Sequence, residues 1–173
     1  GARKLFFTSN HDENSWNGSE YEKYGDAAKI FAVFTCMWNG VPMVYSGQEL
    51  PNLKRLKFFE KDEIEWSNAE PGLQKFYKKL LQLNSSHPAL CERGNIETIP
   101  TDYSENIFAF FRVAGTKKVL VILNLSNRDR LQFRITHPLL EGAYTHLFSE
   151  INYKLDNVQS FELQAWEYLV LVC

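Results

Sequence analysis

Two kinds of secondary-structure pattern follow one another along this chain, and the change between them limits the folds that it can adopt. In the first half, short apolar runs at Lys4–Ser9 and Val41–Tyr45 alternate with two stretches of helical periodicity. The order β-α-β-α is typical of parallel strands. The second half holds six short strand patterns separated by turn residues, which indicates an antiparallel β-sandwich or Greek key. We expect the boundary near residues 85–89.

The bounds of these elements follow from capping and turn residues. The first helix is predicted to start at Asp26, as its N-cap, and to end at Asn39 and Gly40. The second helix is predicted to start at Pro71 and to end before His87. The later strands are predicted at Ile107–Val113, Val119–Leu125, Leu131–Ile135, Tyr144–Phe148, Gln159–Leu163 and Glu167–Val172.

Composition and charge exclude several classes of protein. A hydrophobic content of 45% with 14% aromatic residues is sufficient for a packed core. The formal charge of −2 gives no basic excess for binding nucleic acid or an acidic membrane surface. No apolar run reaches the ~18 residues needed to span a bilayer. The cysteines Cys36, Cys91 and Cys173 form no metal-binding or redox pattern. We therefore predict neither a nucleic-acid nor a membrane partner.

The first strand pattern runs directly into a dense polar cluster. Residues 6–14 are Phe-Phe-Thr-Ser-Asn-His-Asp-Glu-Asn, so two amides, an imidazole and two carboxylates follow the strand. Loops at the carboxyl ends of parallel strands face the ligand crevice in α/β folds. A second polar cluster, Ser-Gly-Gln-Glu at residues 46–49, follows the second strand. The strand Lys4–Ser9 is expected to be buried on both faces, and residues 15–25 and 50–69 are expected to be loops.

The dipeptide His11-Asp12 alone carries little information, and a capped loop with a hydrogen-bonded histidine is its simplest interpretation. A metal-dependent phosphohydrolase would need further His and Asp ligands on helices. The other histidines, His87, His137 and His146, fall in the linker or the β half. A serine nucleophile would need a G-x-S-x-G turn and a phosphate site a glycine-rich turn, and neither is present in the sequence.

Two longer motifs resemble sequences of the α-amylase family of TIM-barrel glycosidases. Residues 7–14, Phe-Thr-Ser-Asn-His-Asp-Glu-Asn, resemble the signature that closes the family's seventh barrel strand. Residues 40–49, Gly-Val-Pro-Met-Val-Tyr-Ser-Gly-Gln-Glu, resemble its eighth-strand segment. The all-β half resembles the C-terminal β-sandwich of these enzymes. The resemblance implies a partial TIM barrel (β-α-β-α) in residues 1–86, followed by an antiparallel β-sandwich domain in residues 87–173.

The resemblance also implies roles for the residues of the first motif. Asp12 corresponds to the catalytic carboxylate that stabilises the oxocarbenium-like transition state. His11 corresponds to the histidine that hydrogen-bonds the same sugar ring, and Asn10 matches a further substrate-binding position. Hydrogen bonds to ring hydroxyls that strengthen in the transition state can supply several kcal/mol. Glu13 and Glu49 are expected to have structural roles.

Four residues of the predicted long loop have two interpretations each. Phe58, Phe59 and Trp66 could stack on sugars, but core packing is the expected role. Arg55 could line a sugar subsite, but a place on a solvated face is expected.

The catalytic machinery implied by the family is incomplete in this chain. Retaining glycosidases need a nucleophile and a general acid about 5–5.5 Å apart, and the family carries them on barrel strands four and five. Residues 1–86 are too few for a (β/α)8 barrel, which needs roughly 200 residues or more. We therefore expect a C-terminal segment of a longer enzyme, inactive alone, in keeping with a first residue Gly1 rather than Met. Two barrel strands without neighbours predict self-association, or mobility in residues 1–70.

Two classes of function remain open at this point. The first is a segment of an α-amylase-like glycoside hydrolase that, in its full-length parent, acts on α-glucans such as starch or maltooligosaccharides by a retaining mechanism. The alternative is a non-catalytic carbohydrate-binding or scaffold module. No cofactor is predicted for either class. No metal is predicted, because the ligands of the calcium common in the family would lie upstream.

Overall fold

The computed structural model describes residues 3–50, 52–68, 70–91 and 94–173. Gly1, on which the expectation about the N-terminus rests, and two residues of the predicted long loop lie outside the described residues. The chain divides into two compact units: Gly1–Cys36 with Gly40–Gln82, and Met37–Asn39 with Leu83–Cys173. Within the described ranges, no helix is both long enough and apolar enough to cross a membrane.

The first 86 residues contain two short parallel strands, each followed by helical segments. β1 (Leu5–Phe6) pairs in parallel with β2 (Val41–Pro42), which confirms the β-α-β-α order and the parallel strands. The helical segments are a π-helix at Glu13–Asn17, α1 (Glu20–Tyr24), a 3-10 helix at Gly25–Ala27, α2 (Ala28–Met37), a 3-10 helix at Trp66–Asn68 and α3 (Pro71–Ser86).

Periodic apolar residues bury one face of each of the two longer helices. In α2, the side chains of Ile30 and Val33 are completely buried. α3 starts at Pro71 and ends before His87, as predicted. Its buried residues, spaced at i, i+3, i+4 and i+7, are Leu73, Phe76, Tyr77 and Leu80.

The prediction that the strand Lys4–Ser9 is buried on both faces is wrong. β1 covers only two residues, and the side chains of Leu5 and Phe7 are 52% and 38% exposed. Among the described residues, β2 is the one strand that pairs with β1. A parallel strand is buried on both faces only where further strands and helices cover it, so these apolar side chains remain open.

The prediction of a loop at residues 15–25 is also wrong, because this range contains α1. The amide of Glu22 donates to the Ser19 hydroxyl oxygen at 3.3 Å, and the amide of Ser19 donates to the Glu22 carboxylate at 2.9 Å. This capping box is visible in the sequence as Ser-x-x-Glu. Asp26 is not an N-cap, since it lies inside the 3-10 helix Gly25–Ala27 that leads directly into α2.

The second unit confirms the predicted antiparallel β-sandwich. A short helix, α4 (Pro88–Cys91), precedes the strands. The strands are β3 (Asn95–Ile99), β4 (Ile107–Ala114), β5 (Lys117–Asn124), β6 (Leu131–Thr136), β7 (Gly142–His146), β8 (Asn152–Leu155), β9 (Val158–Leu163) and β10 (Tyr168–Val172). They form a six-stranded sheet of order β3-β4-β5-β10-β7-β8 and a two-stranded sheet β6-β9. Both sheets contribute to one apolar core that includes Phe111, Leu120 and Ile135.

The two strands that sequence reasoning missed, β3 and β8, form the edges of the six-stranded sheet. Each has a single strand neighbour and mostly exposed or half-buried side chains. The six predicted strands all occur, with bounds shifted by one or two residues. An edge strand needs fewer apolar residues than a central one, which removes the signal on which the prediction relied.

Arg112 on β4 is among the largest fully buried side chains of the protein. Its Nη1 donates to the carbonyl oxygens of Met37 at 3.0 Å and Trp38 at 2.7 Å, and its Nη2 donates to that of Gly94 at 3.3 Å. Met37 is the last residue of α2. Buried carbonyl oxygens need such donors, so Arg112 satisfies three acceptors of this unit at once.

Replacing Arg112 with Met keeps a long side chain but removes all three of these hydrogen bonds. We expect Arg112→Met to lower the free energy of unfolding by about 3 kcal/mol, measured by urea denaturation, because hydrogen bonds to charged groups contribute ~1.5–3 kcal/mol and buried acceptors are left unpaired. The control Arg134→Met removes an exposed arginine from β6 and should change stability by less than about 0.5 kcal/mol. Equal effects of the two substitutions would contradict this assignment.

Candidate functional site

The polar clusters after β1 and β2 lie side by side at one edge of the parallel pair. The amides of Val41 and Met43 donate to the carbonyl oxygens of Lys4 and Phe6, both at 2.9 Å. A Cβ atom on Gly40 would lie 2.4 Å from the ring of Phe6 and 2.5 Å from the carbonyl oxygen of Lys4. The close approach of the two strands therefore requires glycine at position 40.

A buried hydrogen-bond network joins the two strand ends. The side-chain amide of Gln48 donates to the Thr8 hydroxyl oxygen at 2.6 Å and to the Tyr77 hydroxyl oxygen at 2.9 Å. Its Oε1 accepts from the amide of Tyr45 at 3.1 Å. Gln48 and Thr8 are 4% and 5% exposed, and burial raises the pKa of Tyr77 far above its usual range. Since each of these polar groups has a partner, the network fixes the relative position of the two loops.

The loop after β1 is held by its own amide side chains. Oδ1 of Asn10 accepts from the amide of Glu13 at 2.7 Å. The side chain of Asn14 is buried, where its Oδ1 accepts from the amide of Leu56 at 2.7 Å and its Nδ2 donates to the carbonyl oxygen of Lys54 at 3.3 Å. These bonds tie the polar cluster to residues 54–56 of the long loop.

His11 and Asp12 are the most open members of the first cluster. Their side chains are 68% and 60% exposed, with His11 Nε2 lying 3.6 Å from Asp12 Oδ2. The structure brings these two predicted site residues together at the strand end, and Asn10 precedes them as a half-buried residue. An exposed carboxylate beside an imidazole can accept hydrogen bonds from a polar ligand and stabilise positive charge on it.

The two neighbouring glutamates are engaged in contacts within the protein. Lys23 Nζ lies 2.9 Å from Glu13 Oε2 and donates to the carbonyl oxygen of Thr8 at 3.1 Å. The hydrogen bond from Lys23 lowers the pKa of Glu13. Glu49 accepts from the amide of Gly47 at 3.0 Å, which closes the turn after β2. These contacts agree with the structural roles expected for both glutamates.

The expectation that the loop aromatics pack in the core is wrong. Phe58, Phe59 and Trp66 are 38%, 85% and 57% exposed. Trp16, which sequence reasoning overlooked, is 58% exposed. Its ring centroid lies 5.4 Å from that of Phe58 and 6.2 Å from that of Phe59. We call Trp16, Phe58 and Phe59 the aromatic cluster; only the fold could reveal it, because Trp16 is far in sequence from the other two.

Charged residues of the long loop pair with one another or with α1. Arg55 Nε donates to Glu22 at 3.1 Å, and both side chains remain about half exposed, in line with the solvated face expected for Arg55. Lys57 pairs with Glu60 at 2.6 Å, and Lys54 pairs with Asp62. Among the described residues no group of three or more His, Cys, Asp or Glu side chains is placed to hold a metal ion.

Glu20 is a buried carboxyl group that sequence reasoning did not single out. It lies at the start of α1, is 3% exposed, and its Oε1 has no hydrogen-bond partner in the described structure. Burial raises the pKa of Glu20 to about 7.

The fold is that of a partial barrel, with its parallel strands and helices, and an antiparallel β-sandwich. No protein-family model matches the sequence. Alpha-amylase 2 of Dictyoglomus thermophilum is 26% identical over 158 residues, which cover 85% of this chain and 26% of that enzyme. The chain is homologous to α-amylase family enzymes over most of its length, which confirms the resemblance to this family, and it spans about a quarter of this relative.

Solved structures of this family share the fold. A maltogenic α-amylase, AmyB of Thermotoga neapolitana, matches with a TM-score of 0.83 at 18% identity, covering 99% of this chain and 41% of that one. AmyP in complex with maltose matches with a TM-score of 0.71 at 15% identity, again covering 99% of this chain and 41% of that one. The predicted fold, a partial barrel followed by an antiparallel β-sandwich, is confirmed.

The raised pKa of Glu20 predicts a specific pH dependence of stability. The pKa rises from 4.5 to about 7 on folding, so the protein loses stability as the pH rises between these values and stays less stable above them. We expect Glu20→Gln to raise the free energy of unfolding by about 2 kcal/mol at pH 8 and to have little effect near pH 4.

Urea denaturation at both pH values measures this difference. The control Glu63→Gln changes a carboxylate that is 81% exposed and should leave stability unchanged at both. A Glu20→Gln effect of equal size at pH 4 and pH 8 would contradict the assigned pKa.

Proposed function

We propose that this chain is the C-terminal segment of a glycoside hydrolase that cleaves α-glucans such as starch or maltooligosaccharides. In this proposal residues 1–86 complete the catalytic (β/α)8 barrel and residues 87–173 form its C-terminal β-sandwich. One observation carries the proposal. At the two neighbouring strand ends, Asp12 is open to a ligand beside His11, whereas Glu13 and Glu49 are held by contacts within the protein.

Asp12 acts as the carboxylate that stabilises the transition state. As the glycosidic bond breaks, positive charge develops on the sugar ring, and a carboxylate that accepts hydrogen bonds from the ring hydroxyls binds this state more tightly than the ground state. His11 donates a hydrogen bond to the same ring. Asn10 holds the loop through its Oδ1 and offers its amide nitrogen to the substrate.

The other two groups of a retaining mechanism come from outside these 173 residues. A nucleophile and a general acid about 5–5.5 Å apart are needed to form and resolve the glycosyl-enzyme intermediate. The segment alone is therefore expected to be inactive. An alpha-amylase among the sequence relatives and a structural neighbour in complex with maltose support α-glucans as the substrate class.

A second candidate is a non-catalytic carbohydrate-binding module in the β half. A depression of about 520 Å³ lies over the β6-β9 sheet, lined by polar side chains that include Asp102, Gln132, Arg134 and Glu162. Polar groups around a concave surface suit a hydroxyl-rich ligand. Maltoheptaose titrated calorimetrically into the isolated chain separates the candidates, because binding lost in Arg134→Ala but kept in Asp12→Asn would favour the module.

The decisive variant for the first candidate is Asp12→Asn in the enzyme formed by this segment and its natural upstream sequence. We expect kcat for maltoheptaose to fall by about 10²–10³-fold, with a much smaller change in KM, because the lost charge acts mainly in the transition state. Release of reducing sugar ends measures the rate.

Glu63→Gln serves as the matched control, since it neutralises an exposed carboxylate outside the site, and it should retain full activity. An active enzyme in which Asp12→Asn loses less than about threefold would exclude the assigned role of Asp12.

A further inference from the structure

We propose that the aromatic cluster, Trp16 with Phe58 and Phe59, is a stacking platform for the glucose units next to the one held by Asp12 and His11. This inference rests on the proposed function, because it extends the same binding site along the α-glucan chain. It assigns a substrate contact to three residues that the strand-end motifs do not contain.

The exposure of the three rings is the first observation. Phe59 is 85% exposed and Trp16 is 58% exposed. Large aromatic side chains that only fill a core are buried, and contiguous exposed apolar patches mark binding surfaces. The rings contact each other, and the described part of the chain leaves them uncovered.

The cluster is continuous with the proposed catalytic residues. The rings of His11 and Phe58 are stacked, with centroids 5.8 Å apart and an interplanar angle of 26°. Phe58 in turn contacts Phe59 at 4.8 Å and Trp16 at 5.4 Å. Phe58 therefore connects His11 to the other two rings, so a chain bound at His11 would meet the cluster with its neighbouring units.

The cluster is built from two segments that are tied together by hydrogen bonds. Ser15, next to Trp16, donates from its hydroxyl group to the carbonyl oxygen of Leu56 at 2.7 Å. The amide of Leu56 donates to the buried side chain of Asn14 at 2.7 Å. These bonds hold the π-helix against residues 54–56, so little conformational entropy is lost when a ligand binds the rings.

The surroundings of the rings match the chemistry of a sugar. A glucose unit has apolar C–H faces and a rim of hydroxyl groups. The cluster borders a depression of about 350 Å³ that is also lined by Arg55, Lys57 and Glu60. Aromatic faces beside a few polar groups are the usual composition of a small-ligand site. An α-glucan places apolar ring faces on the aromatic side chains and hydroxyl groups on the charged ones.

Chain-length dependence tests the platform in the enzyme formed by this segment and its upstream sequence. For Trp16→Ala and Phe59→Ala we expect kcat/KM to fall by about tenfold for maltoheptaose and by less than about twofold for maltose, because a short substrate does not reach the rings. Trp66→Ala is the matched control. It removes another half-exposed tryptophan, in the 3-10 helix Trp66–Asn68, and should affect neither substrate.

Three results would overturn the platform. Unchanged kinetics in both variants would show that the rings do not touch the substrate. Equal losses for both substrates would indicate a distorted site rather than a remote contact. A lower melting temperature in both variants with no kinetic change would show that protein, rather than sugar, covers the rings in the enzyme.

A separate readout distinguishes failure of the platform from failure of the proposed function. If the enzyme cleaves neither substrate, maltoheptaose binding is measured by calorimetry for the wild type and for Trp16→Ala. Binding that is about tenfold weaker in Trp16→Ala supports the platform while rejecting the hydrolase. Absence of binding, or equal binding by both proteins, overturns the platform as well.

Discussion

The candidate site depends on the close approach of the backbone at Gly40 to β1. A side chain at position 40 would collide with the ring of Phe6 and with the carbonyl oxygen of Lys4, and the two strands could not pair in their observed register. This pairing places Thr8 and Gln48 within hydrogen-bonding distance. Two polar loops that are about 40 residues apart in sequence thereby become one surface, as expected at the carboxyl ends of parallel strands.

Within that surface, carboxylates of similar chemistry have different surroundings. Glu20 is buried with a raised pKa, Glu13 is neutralised by Lys23, and Glu49 closes a turn. Among the described carboxylates at the strand ends, Asp12 combines exposure with a neighbouring imidazole. A glutamate that already accepts hydrogen bonds from the protein has fewer acceptor sites left for a ligand. The different roles of these carboxylates therefore follow from their surroundings, because Asp and Glu side chains carry the same chemical group.

The sequence predicts those features that depend on local pattern. The parallel strands, the helix starting at Pro71, six strands of the β-sandwich and the strand-end motif all carry strong periodic or motif signals. The edge strands β3 and β8 were missed because an edge needs few apolar residues. α1 was missed although the capping box of Ser19 and Glu22 is visible in the sequence. The aromatic cluster could not be predicted, because it depends on the long-range contact of Ser15 with Leu56 and on incomplete burial of apolar rings.

A structure of the complete enzyme bound to a non-hydrolysable maltooligosaccharide would show whether Asp12 binds the sugar ring. The quantities to measure are the distances from the carboxylate oxygens of Asp12 to the nearest sugar oxygens. We expect distances of about 2.6–3.2 Å to hydroxyl groups of one ring, with the adjoining ring over Trp16. An oligosaccharide bound only at the β6-β9 sheet, with Asp12 facing solvent, would contradict the role assigned to Asp12.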